Sequence, residues 1–182
     1  FLDAAVPADA LIVSDIGVFF VAKRRLPDMA LHVSTQAGVV NWRTAAEFYN
    51  LGASRVVLAR ELSLSEIAEI REKTPKELEL EAFVHGAMCV SFSGRCLISE
   101  YLTGRDANRG ECAQPCRWAY TLFEQKRQKN VLELRSDEKG TYLLNARDLS
   151  MISHLKALHS NGVSCFKIEG RAKSSYYVSA VT

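Results

Sequence analysis

Cys89, Cys96, Cys112 and Cys116 stand at the spacing C-x6-C-x15-C-x3-C, and no other feature of the 182-residue chain limits its chemistry so tightly. Thiols gathered this closely serve as soft ligands, so they point to a soft metal or an iron–sulfur cluster rather than a disulfide framework. A [4Fe–4S] cube takes one cysteine per iron. Four thiolates also satisfy tetrahedral zinc, usually with tighter pairs than C-x6-C, and spacing alone leaves the two open. The fifth thiol, Cys165, lies in an apolar run and reads as buried and unligated. An odd cysteine count fits poorly with a fully paired secreted scaffold, so the expected compartment is the cytoplasm.

A second set of polar residues falls just beyond the apolar runs: Ser14 and Asp15, Ser34 to Gln36, Arg60 and Glu61, His85, Asn145, Arg147 and Asp148, Glu169 and Arg171. In parallel α/β architectures ligands bind at the C-terminal ends of strands. Arg60, Arg147 and Arg171, together with Gln36, are therefore candidates for holding a carboxylate or phosphate. Ion pairs with Glu61, Asp148 and Glu169 are the structural alternative, as is helix capping by Asp148. His85 is the candidate general acid–base, because imidazole changes charge near neutral pH; Glu169 is the second candidate.

The elements that must position these residues alternate between strand and helix. Residues 10–14, 30–34, 55–59 and 78–84 read as strands, with helices over 17–25, 44–51 and 63–73 between them. Ser63 followed by Glu66 is a capping-box pattern. The rhythm breaks at Val84, where the cysteine segment begins. A hairpin is expected between 118–123 and 131–134, then a strand at 142–145, a helix over 149–159, a strand at 164–168 and a helix from 174. The pattern predicts an incomplete TIM-like (β/α) barrel with parallel strands and a cysteine-rich insertion. It shows fewer strands than the eight of a closed barrel, and an open doubly wound sheet is the competing architecture. The expected organisation is barrel units over 1–86, the cysteine-rich segment with a polar hairpin or loop over 87–140, and further barrel units over 141–182, truncated at the C-terminus.

The composition, 48% hydrophobic and 24% charged with a formal charge of +2, is that of a globular protein and not of a strongly basic nucleic-acid-binding domain. No run of about 18 apolar residues is present, so no membrane span is expected. Basic character is local: Arg105, Arg109, Arg117, Lys126, Arg127 and Lys129 lie on and after the cysteine segment, with Trp118 and Tyr120 available to stack on a base. The G-x-S-x-G and H-E-x-x-H motifs of hydrolases are missing.

The run from Glu81 through Phe83, Gly86, Ala87, Met88, Cys89, Gly94, Cys96 and Ile98 to Ser99 resembles the signature of the U32 peptidase family, E-x-F-x-x-G-[SA]-[LIVM]-C-x4-G-x-C-x-[LIVM]-S. The likeness continues through Ser99 to Arg105, Cys112 to Trp118, Leu144 to Leu149 and Phe166 to Arg171. The Asn-x-Arg-Asp-Leu and Lys-Ile-Glu-Gly-Arg segments are most similar to the branch that forms 5-hydroxyuridine at the wobble position of tRNA. That resemblance implies a barrel fold and an iron–sulfur cluster with Cys89, Cys96, Cys112 and Cys116 as ligands. It further implies prephenate, a small dicarboxylate, as hydroxyl donor and a tRNA anticodon loop as partner. The alternatives are peptide-bond hydrolysis, from the family's older label of collagenase-like protease, and a noncatalytic module stabilised by zinc.

Overall fold

A computed structural model of the chain describes residues 7–118, 136–137, 140–141 and 148–182. The chain packs as two compact units, residues 1–88 with 148–182, and residues 89–147.

The first unit is built on a mostly parallel sheet. Strands β1 (Ala10–Val13), β2 (Ala30–Val33), β3 (Arg55–Val57) and β4 (Glu79–Gly86) lie in that order. Ala10 pairs with Ala30, His32 with Arg55, and Arg55 with Glu79, all in parallel. Each helix between them starts on a side-chain oxygen that satisfies an otherwise unpaired amide. Asp15 accepts from the Val18 amide at 2.8 Å to open α1 (Ile16–Arg25), and Asn41 accepts from Thr44 at 2.9 Å to open α2 (Trp42–Asn50). Helix α3 (Leu64–Glu72) begins on the expected capping box: the Ser63 amide donates to Glu66 Oε2 at 2.7 Å, and the Glu66 amide returns a bond to Ser63 Oγ.

The second unit holds α4 (Ile98–Thr103) and a two-rung antiparallel pair, β5 (Ser136–Asp137) with β6 (Gly140–Thr141). The expected hairpin of 118–123 with 131–134 and the strand at 142–145 lie outside the described residues, apart from Trp118.

The chain re-enters the first unit at Asp148 and departs there from the expected helix over 149–159. Leu149 and Ser150 instead form β7, antiparallel to Gly86 and His85. A 3-10 turn follows at Ile152–His154, and α5 spans only Leu155–Ser160. The backbone at the end of β4 claims these residues: Leu149 and Ser150 pair with Gly86 and His85, and the Met151 amide extends the ladder by donating to the Val84 carbonyl at 2.8 Å. Strand β8 (Val163–Glu169) then runs parallel to β4 from Leu80 to Gly86, and α6 (Ser175–Val181) follows, capped by Ser174. The sheet is thus parallel except for β7, an α/β arrangement consistent with part of a barrel.

Alternation along the strands sorts two faces. Leu31, Val33, Val56, Leu80, Ala82 and Val84 join Phe19, Ile70 and Leu158 in one core beneath the helices. A fully buried leucine such as Leu80 contributes about 1.5–3 kcal/mol through lost contact with water. Glu81 and Phe83 point the other way, and the polar chemistry collects on that side. Among the described residues no helix is long and apolar enough to cross a membrane.

Candidate functional site

The thiol unit is shaped by short turns that side chains lock together. Asn108 clasps the backbone of Cys96 from both directions: its Oδ1 accepts from the Cys96 amide at 3.2 Å, and its Nδ2 donates to the Cys96 carbonyl at 3.0 Å. Asn108 is itself fixed by an Asp106 cap, where its amide donates to Oδ1 at 2.8 Å. Fully buried Ser99 accepts the Ala113 amide on its Oγ at 3.0 Å, so the two arms carrying Cys96 and Cys112 are tied at a second point. The Gln114 amide donates to Cys112 Sγ at 3.3 Å. Sequence reading missed Asn108, although Asp106-x-Asn108 carries the signature of an Asx turn, and placed Ser99 in the family signature without this role.

The thiols differ electrostatically. Burial alone would push the Cys96 thiol up, but hydrogen bonds from Ser91 and from the Ile98 and Ser99 amides outweigh it and hold this thiol below its ordinary value. Burial raises Cys116; Arg117 opposes that, and the negative charges of Cys112, Cys89 and Cys96 add to it. The four sulfurs of the sequence motif therefore share one electrostatic neighbourhood. Among the described residues, no group of three or more His, Cys, Asp or Glu side chains is drawn together closely enough to hold a metal ion. The donor set nonetheless fits a thiolate-bound centre in type and number, and the mutual repulsion felt at Cys116 is what a cationic centre removes. Of the basic residues near the thiols, Arg105 and Arg109 are exposed and Arg117 is half-buried, and the neighbouring Trp118 is exposed. Tyr120, Lys126, Arg127 and Lys129 lie outside the described residues.

In the first unit, the ends of β3, β4 and β8 converge. The Arg60 side chain is only 7% exposed and pairs with Glu169 at 3.3 Å. Its Nη1 donates to the Ala87 carbonyl at 3.0 Å, and its guanidinium lies 3.8 Å from the Phe83 ring centroid. A desolvated cation over an aromatic face gains up to about 2 kcal/mol. Glu169 also accepts the Arg171 amide on Oε1 at 3.2 Å. The structure therefore brings Arg60, Glu169 and the Arg171 backbone together. The Arg171 residue is exposed, Gln36 sits half-buried in the 3-10 turn after β2, and Arg147 lies outside the described residues. Close approach of β4 and β8 requires Gly86: its φ is +108°, and a Cβ there would collide with the Glu169 carbonyl oxygen.

His85 is not beyond the fourth strand, as the apolar pattern suggested, but within it, half-buried and paired in register with Ile168 and Ser150. Strand pairing on both sides carries the ladder two residues further than Val84. The His85 ring lies 5.7 Å from that of Tyr177. The Tyr177 hydroxyl donates to Asp148 Oδ2 at 3.1 Å, and Lys173 Nζ donates to the same oxygen at 2.6 Å. Asp148 is thus an ion-pair partner rather than a helix cap. Tyr177 and Lys173 escaped sequence reading because a tyrosine in a helical run carries no local sign of its target.

Deeper on the same sheet face lies a charged layer. Glu81 is 5% exposed and sits between Lys167 at 2.7 Å and Arg55 at 3.2 Å; Arg55 also holds Glu79 at 2.6 Å. Burial pushes the Glu81 carboxyl up, yet the bonds and charges of Lys167, the Cys165 thiol and Arg55 win and hold it below the usual carboxylate range. Cys165 corrects the expectation of a buried thiol in apolar surroundings. It is half-buried and faces Arg55 Nη1 at 3.6 Å, because its β8 position points away from the helices. Burial and the Glu81 charge raise its thiol. His32 joins this layer, its imidazole lowered by burial and by Arg55.

A parallel α/β protein with a charged strand-end site and a compact thiol-bearing unit is the class these features define. The family model of Peptidase family U32 matches residues 3–182, and the chain belongs to that family. It is 46% identical to the tRNA hydroxylation protein P of Helicobacter pylori over 98% of this chain and 43% of that protein. It is 39% identical to the tRNA hydroxylation protein P of Escherichia coli over 93% of this chain and 46% of that protein. The chain thus spans less than half the length of these relatives. Among solved structures, that of the U32 peptidase Mk0906 aligns with a TM-score of 0.41 at 26% identity, covering 48% of this chain and 35% of that one.

Proposed function

We propose that the chain is part of a tRNA-modifying enzyme that hydroxylates the wobble uridine at C5, with prephenate as hydroxyl donor, on a partial TIM-like barrel. The observation that carries this reading is the gathering of Cys89, Cys96, Cys112 and Cys116 in one compact unit of a chain similar to tRNA hydroxylation proteins. These four cysteines would hold an iron–sulfur cluster, probed against zinc as the other metal that four thiolates satisfy. An iron–sulfur centre bound there supplies electron transfer. Four cysteines leave no iron open, so substrate is held by protein side chains.

Among the described residues, Arg60, Arg171 and Gln36 follow β3, β8 and β2. Arg60, with Arg171, Arg147 and Gln36, holds the carboxylates of the donor; the Arg60–Glu169 pair keeps the guanidinium oriented before donor arrives. His85 moves the proton that C5 of the uridine must lose, and Glu169 is the second proton carrier. Arg105 and Arg109 meet the phosphates of the anticodon loop, and Trp118 stacks on an unpaired base. A tRNA substrate places the activity in the cytoplasm.

The test is nucleoside analysis of tRNA from a strain that lacks the gene and any redundant enzyme. Loss of 5-hydroxyuridine derivatives, restored by the intact gene, is the expected result. Unchanged levels refute the substrate. Cleavage of a peptide substrate by the purified protein, abolished by substituting a single nucleophile, would favour peptidase chemistry instead. One zinc per chain without sulfide, after anaerobic purification, would refute the cluster.

A further inference from the structure

We propose that Tyr177 is a positioning residue for His85, locked in place by the Asp148–Lys173 ion pair; this rests on the reading of His85 as a proton carrier. Three separate pieces of chain bring the group together. Strand β4 supplies His85. Strand β7 pairs Leu149 with Gly86 and so sets Asp148 one residue beyond the end of that ladder. The segment after β8 supplies Lys173 and, from α6, Tyr177.

The helix that carries Tyr177 is held close to the strand end. Ser174 caps it by accepting the Tyr177 amide at 3.2 Å. A Cβ on Gly170 would stand 2.8 Å from Val178, so a glycine there lets α6 approach. Neighbouring Tyr176 is 82% exposed, whereas Tyr177 turns its ring to His85 and its hydroxyl to Asp148. Asp148 Oδ2 takes both the Tyr177 hydroxyl and the Lys173 ammonium, and Lys173 lies 4.9 Å from the Tyr177 ring centroid. Both partners of the ion pair are largely shielded, at 19% and 28% exposure.

The imidazole is therefore backed by a ring that cannot rotate without breaking a hydrogen bond to a charged carboxylate. A proton carrier needs such fixity, because displacing a reacting group by about 1 Å costs on the order of 100-fold in rate. The family-signature segment that carries His85 ends far upstream of Tyr177, so the residue that aims the histidine is absent from the motif that names it.

Two measurements test this. The first is the rate of His85 carbethoxylation by diethyl pyrocarbonate, read by mass spectrometry, with exposed His154 and His159 as references within the same chain. Tyr177→Ala should raise His85 labelling severalfold, and Tyr177→Phe, which keeps the ring but loses its anchor, should raise it less. Labelling of the two reference histidines should not change. Tyr177→Phe and Asp148→Asn keep the assay informative if the alanine variant does not fold. The second is tRNA hydroxylation by the complete enzyme, where Tyr177→Phe should lower kcat about tenfold while KM for tRNA holds. His85 labelling identical in every variant overturns the positioning role. Altered labelling with hydroxylation at the wild-type level in both Tyr177→Ala and His85→Gln overturns the reading of His85 on which the proposal rests.

Discussion

Replacing Glu81 with glutamine removes one negative charge from between two cations and leaves its shape in place. Lys167 loses the ion pair at 2.7 Å, and Arg55 loses the one at 3.2 Å while keeping its pair with Glu79. Breaking a fully buried pair costs about 3–5 kcal/mol, because it strands a charge away from water. An exposed pair is worth about 0–1 kcal/mol. Here the carboxylate is buried at 5% exposure, but Lys167 and Arg55 retain 31% and 25%, so water rehydrates them in part. A loss of about 2 kcal/mol is expected, between these limits. For a chain of this size that lowers the melting temperature by about 4–8 °C at neutral pH.

The pH dependence has a definite sign. Glu81 is held below the usual carboxylate range in the folded state, so the unfolded chain binds its proton first as acid is added. Its stabilisation is complete above the unfolded carboxyl value of about 4.3 and is lost as pH falls through the lower folded value. The gap between wild type and Glu81→Gln should therefore be full at pH 7 and narrow as the solution is acidified from about pH 5. Thermal melts across that range, followed by circular dichroism, read it directly. A double-mutant cycle with Lys167→Met should return a coupling of about 1 kcal/mol or more. Equal melting temperatures at pH 7, or a gap that stays constant into acid, would refute the electrostatic account of this layer.

Gly86→Ala should destabilise the first unit by about 3 kcal/mol, since it adds a positive-φ penalty to a collision with the Glu169 carbonyl; an unchanged thermal melt would contradict the close approach of β4 and β8. After anaerobic reconstitution, Cys96→Ser should lose iron, sulfide and visible absorption, while Cys165→Ser should retain all three; retention in both variants argues against the assigned ligand set. Arg60→Lys keeps the charge but loses the fork that reaches both Glu169 and the Ala87 carbonyl. It should raise KM for the dicarboxylate donor about tenfold, the equivalent of about 1.4 kcal/mol, and unaltered donor kinetics would remove Arg60 from the binding role.

The strands and helices of the first 86 residues were legible because each element there obeys local rules. Ser63 and Glu66 announce α3 without help from elsewhere, and the short apolar runs of β1 to β3 read directly as strands. The helix expected over 149–159 failed for the opposite reason. Its residues suit a helix locally, but the unpaired edge at Val84 to Gly86 draws Leu149 to Met151 into a ladder, and that edge is distant in sequence. The same limit applies at the site. Clustered cysteines are visible as a spacing, whereas the contacts of Asn108 with the Cys96 backbone and of Tyr177 with Asp148 exist only once separate segments meet. Cys165 was misread because an apolar run does not reveal which side of its strand faces Glu81.

The pairing of Gly86 with Leu149 has a consequence for ancestry. The polypeptide leaves the sheet after β4 and returns on the adjoining strand at the same rung, so entry and exit points stand about 5 Å apart. Whatever lies between them is spliced in at a clamped doorway, and its length barely changes the entropy of closing it. Such an arrangement lets evolution exchange, lengthen or trim the thiol-bearing cassette while the strands that host it keep their register. A protein engineer has the same freedom: the corresponding cassette of a relative can be grafted between Met88 and Asp148 with the flanking ladder left intact.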